Sequence, residues 1–181
     1  MPTTARAAHA LLTEPPGHDE YAEYYRRYVE TVPTGDLLVT LERQLEETVA
    51  LLDTVGEARA GHRYAEGKWS VKEVVGHVTD AERIFTMRAL CAARGETAAL
   101  PGFDENAYVA RASFDARSLN ALMGELTAVR RATLALFRSL DATELGRRVT
   151  ASGYPVTARA LAWITAGHER HHARILRERY M

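Results

Sequence analysis

Apolar residues recur every three or four positions in four long stretches of the 181-residue chain. This spacing predicts four amphipathic helices, each with one face turned to a shared core. They are predicted to run from Asp36 to Val55, Ser70 to Ala93, Ser118 to Leu140 and Thr157 to Arg179. Because the segments are long and β-type runs are few, the pattern favours an all-α four-helix bundle.

The start of the second helix carries the clearest local signal. Ser70 and Glu73 form an S-x-x-E capping box, in which each side chain accepts a hydrogen bond from the backbone N–H of the other residue. Trp69, just before the cap, can pack on Val74 as a hydrophobic staple. The second helix is therefore expected to begin at this point.

The rest of the chain divides around these helices. Residues 1–20 contain prolines and a glycine without a sustained period and are expected to form an extended lead-in, followed by one domain over residues 21–181. Residues 21–32 predict a short helix that packs its tyrosines on the bundle. The connection over residues 94–117 is long for a bundle loop, so we expect it to have structure and a function.

Charge and composition narrow the class of protein. The 23 basic and 24 acidic side chains give a net charge of −1, which argues against a nucleic-acid or anionic-lipid partner. No run of 18 apolar residues predicts a membrane span, and Met1 to Ala10 lacks the pattern of a signal peptide. The single cysteine, Cys91, cannot form an internal disulfide. We therefore expect a cytoplasmic protein.

Two histidines of the fourth helix fall on its apolar face. With Leu161 at the centre of that face, His168 lies at about −20° and His172 at about +20° for a helix of 3.6 residues per turn. Buried imidazoles need partners for both ring nitrogens, and a shared metal ion would satisfy one nitrogen of each ring. The alternative is a pair of core histidines satisfied by hydrogen bonds.

A third histidine lies on the second helix. His77 lies at about −60° from Val74, at the edge of the core face, from where it could look into the bundle. Three neutral imidazoles with open coordination positions are typical of a catalytic rather than a closed structural site. The ion could be zinc, nickel, iron or manganese, because imidazole suits several metals.

The segments that hold these histidines resemble one known family. KWSVKEVVGHVTDAERIFTMRAL, with its W-S-x-K-E-x-x-x-H block, and AWITAGHERHHARIL, with G-H-x-x-H-H, are similar to the DinB/YfiT-like superfamily over roughly Tyr24 to Met181, as is LPGFDENAYV. The resemblance implies an up-down-down-up four-helix bundle, often a homodimer. It also implies a metal triad of His77, His168 and His172, with His171 as the non-ligand member of the H-H pair.

The resemblance also suggests a reaction. Characterised members include thiol S-transferases that use bacillithiol or mycothiol, a mycothiol-dependent maleylpyruvate isomerase, and proteins described as metal-dependent hydrolases. The first hypothesis is transfer of a low-molecular-weight thiol, through a metal-bound thiolate, to an electrophilic small-molecule substrate. The thiol would come from outside, because Cys91 lies about 21 Å along the helix from His77. Residues that could position the thiol or substrate are Glu73, Asp80, Asn106 and Tyr108, with Arg83, Arg88 and Arg174 for its carboxylates.

Two other functions stay open at this point. A metal-dependent hydrolase would use the same site to lower the pKa of a bound water toward about 7. A non-catalytic, stress-linked metal-binding protein would keep the ion only for stability. The connection over residues 94–117 is expected to close over one end of the bundle, near the ion.

Overall fold

The computed structural model describes residues 8–181, so the first seven residues of the predicted lead-in lie outside the described part. Four long helices form the body of the protein: α1 (Leu37–Val55), α2 (Val71–Ala93), α3 (Leu119–Ser139) and α4 (Ala158–Ile175). These four helices confirm the predicted ones. The fourth is the exception at its end, where the α-helix gives way to one π-helical turn, Leu176–Tyr180.

Shorter elements connect and flank the bundle. The short α-helices are Arg26–Val29, Glu105–Arg111 and Ala142–Gly146. The 3-10 helices are His18–Glu20, Glu23–Tyr25, Glu57–Arg59 and Phe114–Ala116. Two strands, β1 (Arg148–Ala151) and β2 (Tyr154–Thr157), pair antiparallel. None of the helices in the described part is long and apolar enough to cross a bilayer.

Side-chain caps explain why the long helices start where they do. Ser70 accepts from the backbone N–H of Glu73, and the Glu73 carboxylate accepts from the N–H of Ser70 at 2.8 Å, which completes the predicted capping box. Asp36, Ser118 and Thr157 cap the other three helices with the same kind of bond. These bonds satisfy N–H groups that have no partner within the helix.

The direction of each helix follows from contacts at one end of the bundle. Glu57, just after α1, pairs with Lys72 at the start of α2 at 2.6 Å and accepts from the backbone N–H of Leu119 at the start of α3. Tyr180, beyond the end of α4, donates to the carbonyl of Trp69 at the same end. Helix α1 therefore runs toward this end, α2 and α3 run away from it, and α4 returns.

This up-down-down-up order makes α2 and α3 parallel neighbours. Helix α2 packs on α3 and α4, and α1 packs on the same two helices. The connection over residues 94–117 must therefore run back along the whole bundle, and its helix Glu105–Arg111 packs along α2. The expectation that it closes over one end is corrected accordingly, since two parallel helices cannot be joined by a short loop.

A polar layer divides the core into two apolar clusters. Its centre is Arg130 of α3, which is fully buried and donates two hydrogen bonds to Glu82 of α2 at 2.8 and 2.7 Å. Arg130 also donates to Glu169 of α4 at 2.7 Å and to the carbonyl of Leu41 of α1 at 2.8 Å. This buried charge cluster joins all four long helices, and the pattern of the sequence does not predict it.

The two carboxylates of this cluster are almost completely buried. Burial opposes the charge of Arg130, but the carboxylates of Glu169 and Glu82 raise its pKa above the usual value. Thr48 of α1 adds a hydrogen bond to Glu169 at 2.7 Å. Each charged group in the layer is thus held by several donors or acceptors, as burial of charge requires.

The chain before α1 covers one face of the bundle. Residues 8–11 form a helical turn, Leu12 is buried, and Glu20 pairs with Arg159 of α4 at 2.5 Å, so this part of the predicted lead-in contacts the domain. The predicted helix over residues 21–32 is shorter than expected: only Glu23–Tyr25 and Arg26–Val29 are helical.

The hairpin before α4 was not predicted. Ser152 (φ 54°) and Gly153 (φ 85°) form its two-residue turn, and positive φ at both positions matches the right-handed twist of short hairpins. The carbonyl of Leu100 accepts from the backbone N–H of Ser152, which ties the long connection to the turn. The hairpin thereby brings Ser152 and Tyr154 to the cavity described below.

Candidate metal centre

Three histidine rings meet between α2 and α4. One ring nitrogen from each of His77, His168 and His172 lies within 4.8 Å of the other two. The ring centroids are 5.0 Å apart for His77 and His168, 4.9 Å for His77 and His172, and 4.6 Å for His168 and His172. The predicted convergence of these rings from two helices is confirmed.

The backbone around the triad depends on two glycines. A Cβ on Gly167, beside His168, would lie 2.2 Å from the carbonyl oxygen of Tyr28. A Cβ on Gly76, beside His77, would lie 2.4 Å from the ring of Phe114. The absence of a side chain at these positions lets two connecting segments press directly onto the helices that hold the rings.

Burial keeps the triad neutral. Desolvation lowers the pKa of His77 to about 4, and it lowers the pKa values of His168 and His172 well below their ordinary value, with the neighbouring imidazoles adding to the effect. A neutral imidazole has a free lone pair on one nitrogen. At neutral pH the three rings are thus in the protonation state that metal binding requires.

The spacing of the nitrogens fits a shared ion. The Nε2 atoms of His77 and His168 are 3.1 Å apart. Two nitrogens at about 2.0–2.1 Å from one ion, with an angle between about 90° and 109°, would lie about 2.8–3.4 Å apart. The same 3.1 Å would also allow a hydrogen bond if one of the two nitrogens carried a proton. The third ring, His172, is what distinguishes the cluster from such a simple pair.

A cavity of about 350 Å³ opens onto the triad. Most of its wall is aromatic: Trp69 lies 4.7 Å from His77 between ring centroids, while Tyr28 and Phe85 lie 5.4 and 5.5 Å from His168. The other aromatic and polar residues of the wall are Tyr24, Tyr25, Arg27, Phe103, Glu105, Ser152, Tyr154 and His171. A few polar groups in an aromatic cavity are typical of a small-molecule site.

One cation lies in this wall. The guanidinium of Arg27 lies 4.2 Å from the ring centroid of Tyr24 and 4.8 Å from that of Tyr28. Arg27 also donates to the hydroxyl oxygen of Tyr28 at 3.0 Å. Burial raises the pKa of Tyr28, so its hydroxyl remains protonated and able to donate.

The residues proposed to position the thiol or substrate lie elsewhere. None of Asp80, Asn106 and Tyr108 belongs to the cavity wall. Asp80 pairs with Arg83 at 3.1 Å, and Asn106 and Tyr108 are exposed on the helix Glu105–Arg111. The geometry gives these three side chains no contact with the triad's cavity. Asp80 lies on the predicted second helix, and Asn106 and Tyr108 lie in the predicted connection, but the sequence could not show which way these side chains face.

The remaining candidates have other contacts. Glu73 caps α2, and Arg83 reaches Glu125 at 2.6 Å. Arg88 is buried and donates to the carbonyl of Pro101 and to Ser152. Arg174 is exposed and lines a different groove. Cys91 is partly exposed, 3.7 Å from the sulfur of Met87, and does not belong to the cavity wall.

Several residues of the wall were not among the candidates that the sequence offered. Trp69, expected to pack on Val74, lies against His77, and Phe103 and Glu105 of the long connection also line the cavity. All three belong to the segments that carry the family resemblance, which was the available signal. Tyr25 and Tyr28 were expected to pack on the bundle, and they do so at this cavity.

Three solved structures share the fold of this chain. YfiT from Bacillus subtilis, described as a probable metal-dependent hydrolase with an unusual four-helix bundle topology, is 18% identical with a TM-score of 0.68, covering 96% of this chain and 95% of that one. A mycothiol-dependent maleylpyruvate isomerase is 19% identical with a TM-score of 0.64, covering 80% of this chain and 61% of that one. A DinB-like protein, YjoA of Bacillus subtilis, is 22% identical with a TM-score of 0.53, covering 75% and 82%.

The family itself is established by sequence. No curated protein matches the chain. The sequence model of the DinB superfamily, however, matches residues 40–176, which include the three histidines and both helices that hold them. Since this match covers most of the chain, the protein belongs to the DinB superfamily.

Proposed function

We propose that the protein is a divalent-metal-dependent enzyme whose ion is held by His77, His168 and His172. The observation that carries this proposal is the convergence of three neutral, buried imidazoles at one wall of an aromatic cavity. Apolar side chains would fill the same space without the cost of removing three polar rings from water, so a shared ion is the reason we propose for the cluster.

The proposed reaction is transfer of a low-molecular-weight thiol to an electrophilic small molecule. A divalent ion supplies Lewis acidity that favours the deprotonated form of a coordinated thiol. The chain's own residues would exclude water with aromatic rings and orient the reactants with the guanidinium of Arg27 and the hydroxyl of Tyr28. The likeness to a mycothiol-dependent isomerase supports an external thiol, as does the position of Cys91 outside the cavity.

One experiment tests both metal and thiol. The purified protein is analysed for bound metal and then offered a model electrophile with and without small thiols. We expect one ion per chain and turnover that requires a thiol. His172→Ala should lose both, whereas His62→Ala, an exposed histidine outside the cavity, should keep both. Metal binding that survives His172→Ala would contradict the proposed ligand set.

A metal-dependent hydrolase is the second candidate. Glu105 is the one carboxylate in the cavity wall of the described residues, and a carboxylate near a water-derived nucleophile could act as a general base. The likeness to YfiT supports this reading. Ester or amide turnover without any thiol, reduced about 100-fold or more by Glu105→Gln, would favour hydrolysis over thiol transfer.

A non-catalytic metal-binding role is the third candidate. It predicts one ion per chain, with no turnover of electrophiles, esters or amides. In that case removal of the ion should lower the thermal stability and have no other effect. The same set of assays therefore separates all three functions.

We also propose that the protein forms a homodimer through the outer faces of α2 and α3. Met87 and Leu90 of α2 are 44% and 41% exposed and line an apolar groove with Leu136 of α3. Exposed apolar patches of this kind often mark protein interfaces. Sedimentation analysis should show a dimer that dissociates in Leu90→Glu, and a monomer at all concentrations would contradict the proposal.

A further inference from the structure

A second groove lies between α1 and α4, separated from the triad's cavity by His171, which lines both. Its volume is about 510 Å³. Residues from α1, from α4 and its extension, and from the turn after Arg26–Val29 form its wall. The groove belongs neither to the triad nor to the proposed reaction.

Three arginines give the groove its charge. Arg170, Arg174 and Arg177 lie one turn apart on the same side of α4 and its π-helical extension. None of their guanidinium groups has a carboxylate within 4.0 Å among residues 8–181, whereas arginines elsewhere on the bundle surface, such as Arg43, Arg83 and Arg138, do. Such unpaired guanidinium groups are ready to bind an oxyanion through two parallel hydrogen bonds.

The two carboxylates in the groove do not cancel this charge. Glu169 is committed to Arg130 and Thr48 in the buried polar layer. Glu47 pairs with Arg43, one turn away on α1, at 3.5 Å.

Two buried polar atoms at the groove lack partners. Gln44 is only 3% exposed, and its Nε2 donates to the carbonyl of Ala166 at 3.1 Å, which fixes its Oε1 in an orientation without any donor. The Nε of Arg170 is also buried and has no acceptor. Buried polar groups nearly always have partners, so these atoms point to something that the groove receives.

We propose that this groove binds a small ligand that carries an oxyanion, a carboxylate or a phosphate, together with a hydrogen-bond donor such as a hydroxyl. The arginines hold the oxyanion, and Gln44 Oε1 accepts from the donor. This site does not require the ion of the proposed enzyme, because none of the three histidines proposed to hold that ion lines the groove.

The test uses protein stripped of metal with EDTA and then dialysed free of it, so that no probe can act by chelation at the triad. Inorganic phosphate, succinate and tartrate are titrated at constant ionic strength, with binding followed by amide chemical shifts. Phosphate should bind, and tartrate should bind about 2- to 10-fold more tightly than succinate, because it adds hydroxyls for Gln44.

Variants locate the site. The double variant Arg174→Gln/Arg177→Gln should weaken phosphate binding about tenfold or more, because a charge-assisted hydrogen bond contributes more binding free energy than a neutral one. Arg131→Gln, which removes an exposed arginine of α3 outside the groove, should leave it unchanged. Both substituted arginines are exposed, so the fold should persist, which the same spectra verify.

Three results would overturn the proposal. The first is no shift at residues of the groove with any of the three probes. The second is an equal loss of binding in Arg131→Gln, which would mean a general charge effect. The third is equal affinity for tartrate and succinate, which would remove the part assigned to Gln44. Retained binding in the metal-free protein also separates this site from the proposed enzyme, whatever becomes of the latter.

Discussion

The buried charge cluster gives the sharpest prediction about stability. Replacing Arg130 by Met keeps a similar volume but leaves Glu82, which is 2% exposed, without either of its guanidinium hydrogen bonds. Glu169, equally buried, keeps only the bond from Thr48. Removing one partner of a buried ion pair typically costs about 3–5 kcal/mol.

The backbone adds little to this cost. Arg130 also donates to the carbonyl of Leu41, but this carbonyl lies within α1 and keeps the helical N–H four residues further on as its donor. The expected loss is therefore about 3–5 kcal/mol, a large part of the stability of an ordinary domain. Arg130→Met should unfold at a much lower urea concentration than the parent.

Urea unfolding followed by circular dichroism at neutral pH measures the effect. The matched control is the triple variant Glu82→Leu/Arg130→Met/Glu169→Leu, which removes all three charges at similar volume. Replacing a whole buried cluster by apolar residues is often neutral or stabilising, so the triple variant should fold with a stability close to that of the parent. A loss below about 1 kcal/mol in Arg130→Met, or a triple variant less stable than the single one, would refute the reasoning.

Three further predictions concern pH and packing. Burial lowers the pKa of His77 from 6.5 to about 4, so between these pH values the unfolded chain binds more protons than the folded one. The unfolding free energy of the metal-free protein should therefore rise from pH 4 to pH 6.5, by about 2–4 kcal/mol from this group. A flat profile in urea titrations would contradict this. Burial opposes the charge of Glu20, but hydrogen bonds, chiefly from Arg159, lower its pKa. The contribution of Glu20 to stability should therefore be present above about pH 4.5 and be lost as the pH falls below it. Glu20→Gln should cost about 1–2 kcal/mol at neutral pH and much less in acid. Gly167→Ala should destabilise by about 1–3 kcal/mol despite the better helix propensity of alanine, because the added Cβ would strike the Tyr28 carbonyl; a gain in melting temperature would show that the segment yields.

The long helices and the triad could be predicted because both depend on local periodicity. Ser70 with Glu73 marks the start of α2, and the 3.6-residue period placed His168 and His172 on the buried side of α4. His77 lay at the edge of its predicted face, and the structure buries it to 6% exposure. A helix pattern states which way a side chain faces, and for these rings that was sufficient.

The polar layer and the cavity wall could not be predicted in the same way. Arg130 and Glu82 appear in the sequence as ordinary charges on helix surfaces, and only the packing of α3 against α2 shows that they are buried together. Asp80 lies on the expected helix and Tyr108 in the expected connection, but neither lines the cavity. Contacts between distant elements depend on how the helices rotate and pair, which a single sequence leaves open.

The order of the helices also has a consequence for how the chain folds. Helices joined by the shorter connections, α1 with α2 and α3 with α4, lie across the diagonals of the bundle and hardly touch. No helical hairpin can therefore form early and persist alone, and His77 and His168 must come together across 91 residues. Since non-local contacts slow folding, refolding should be slower than in bundles whose consecutive helices pair. A chain divided between α2 and α3 should leave two fragments without stable structure until they are mixed.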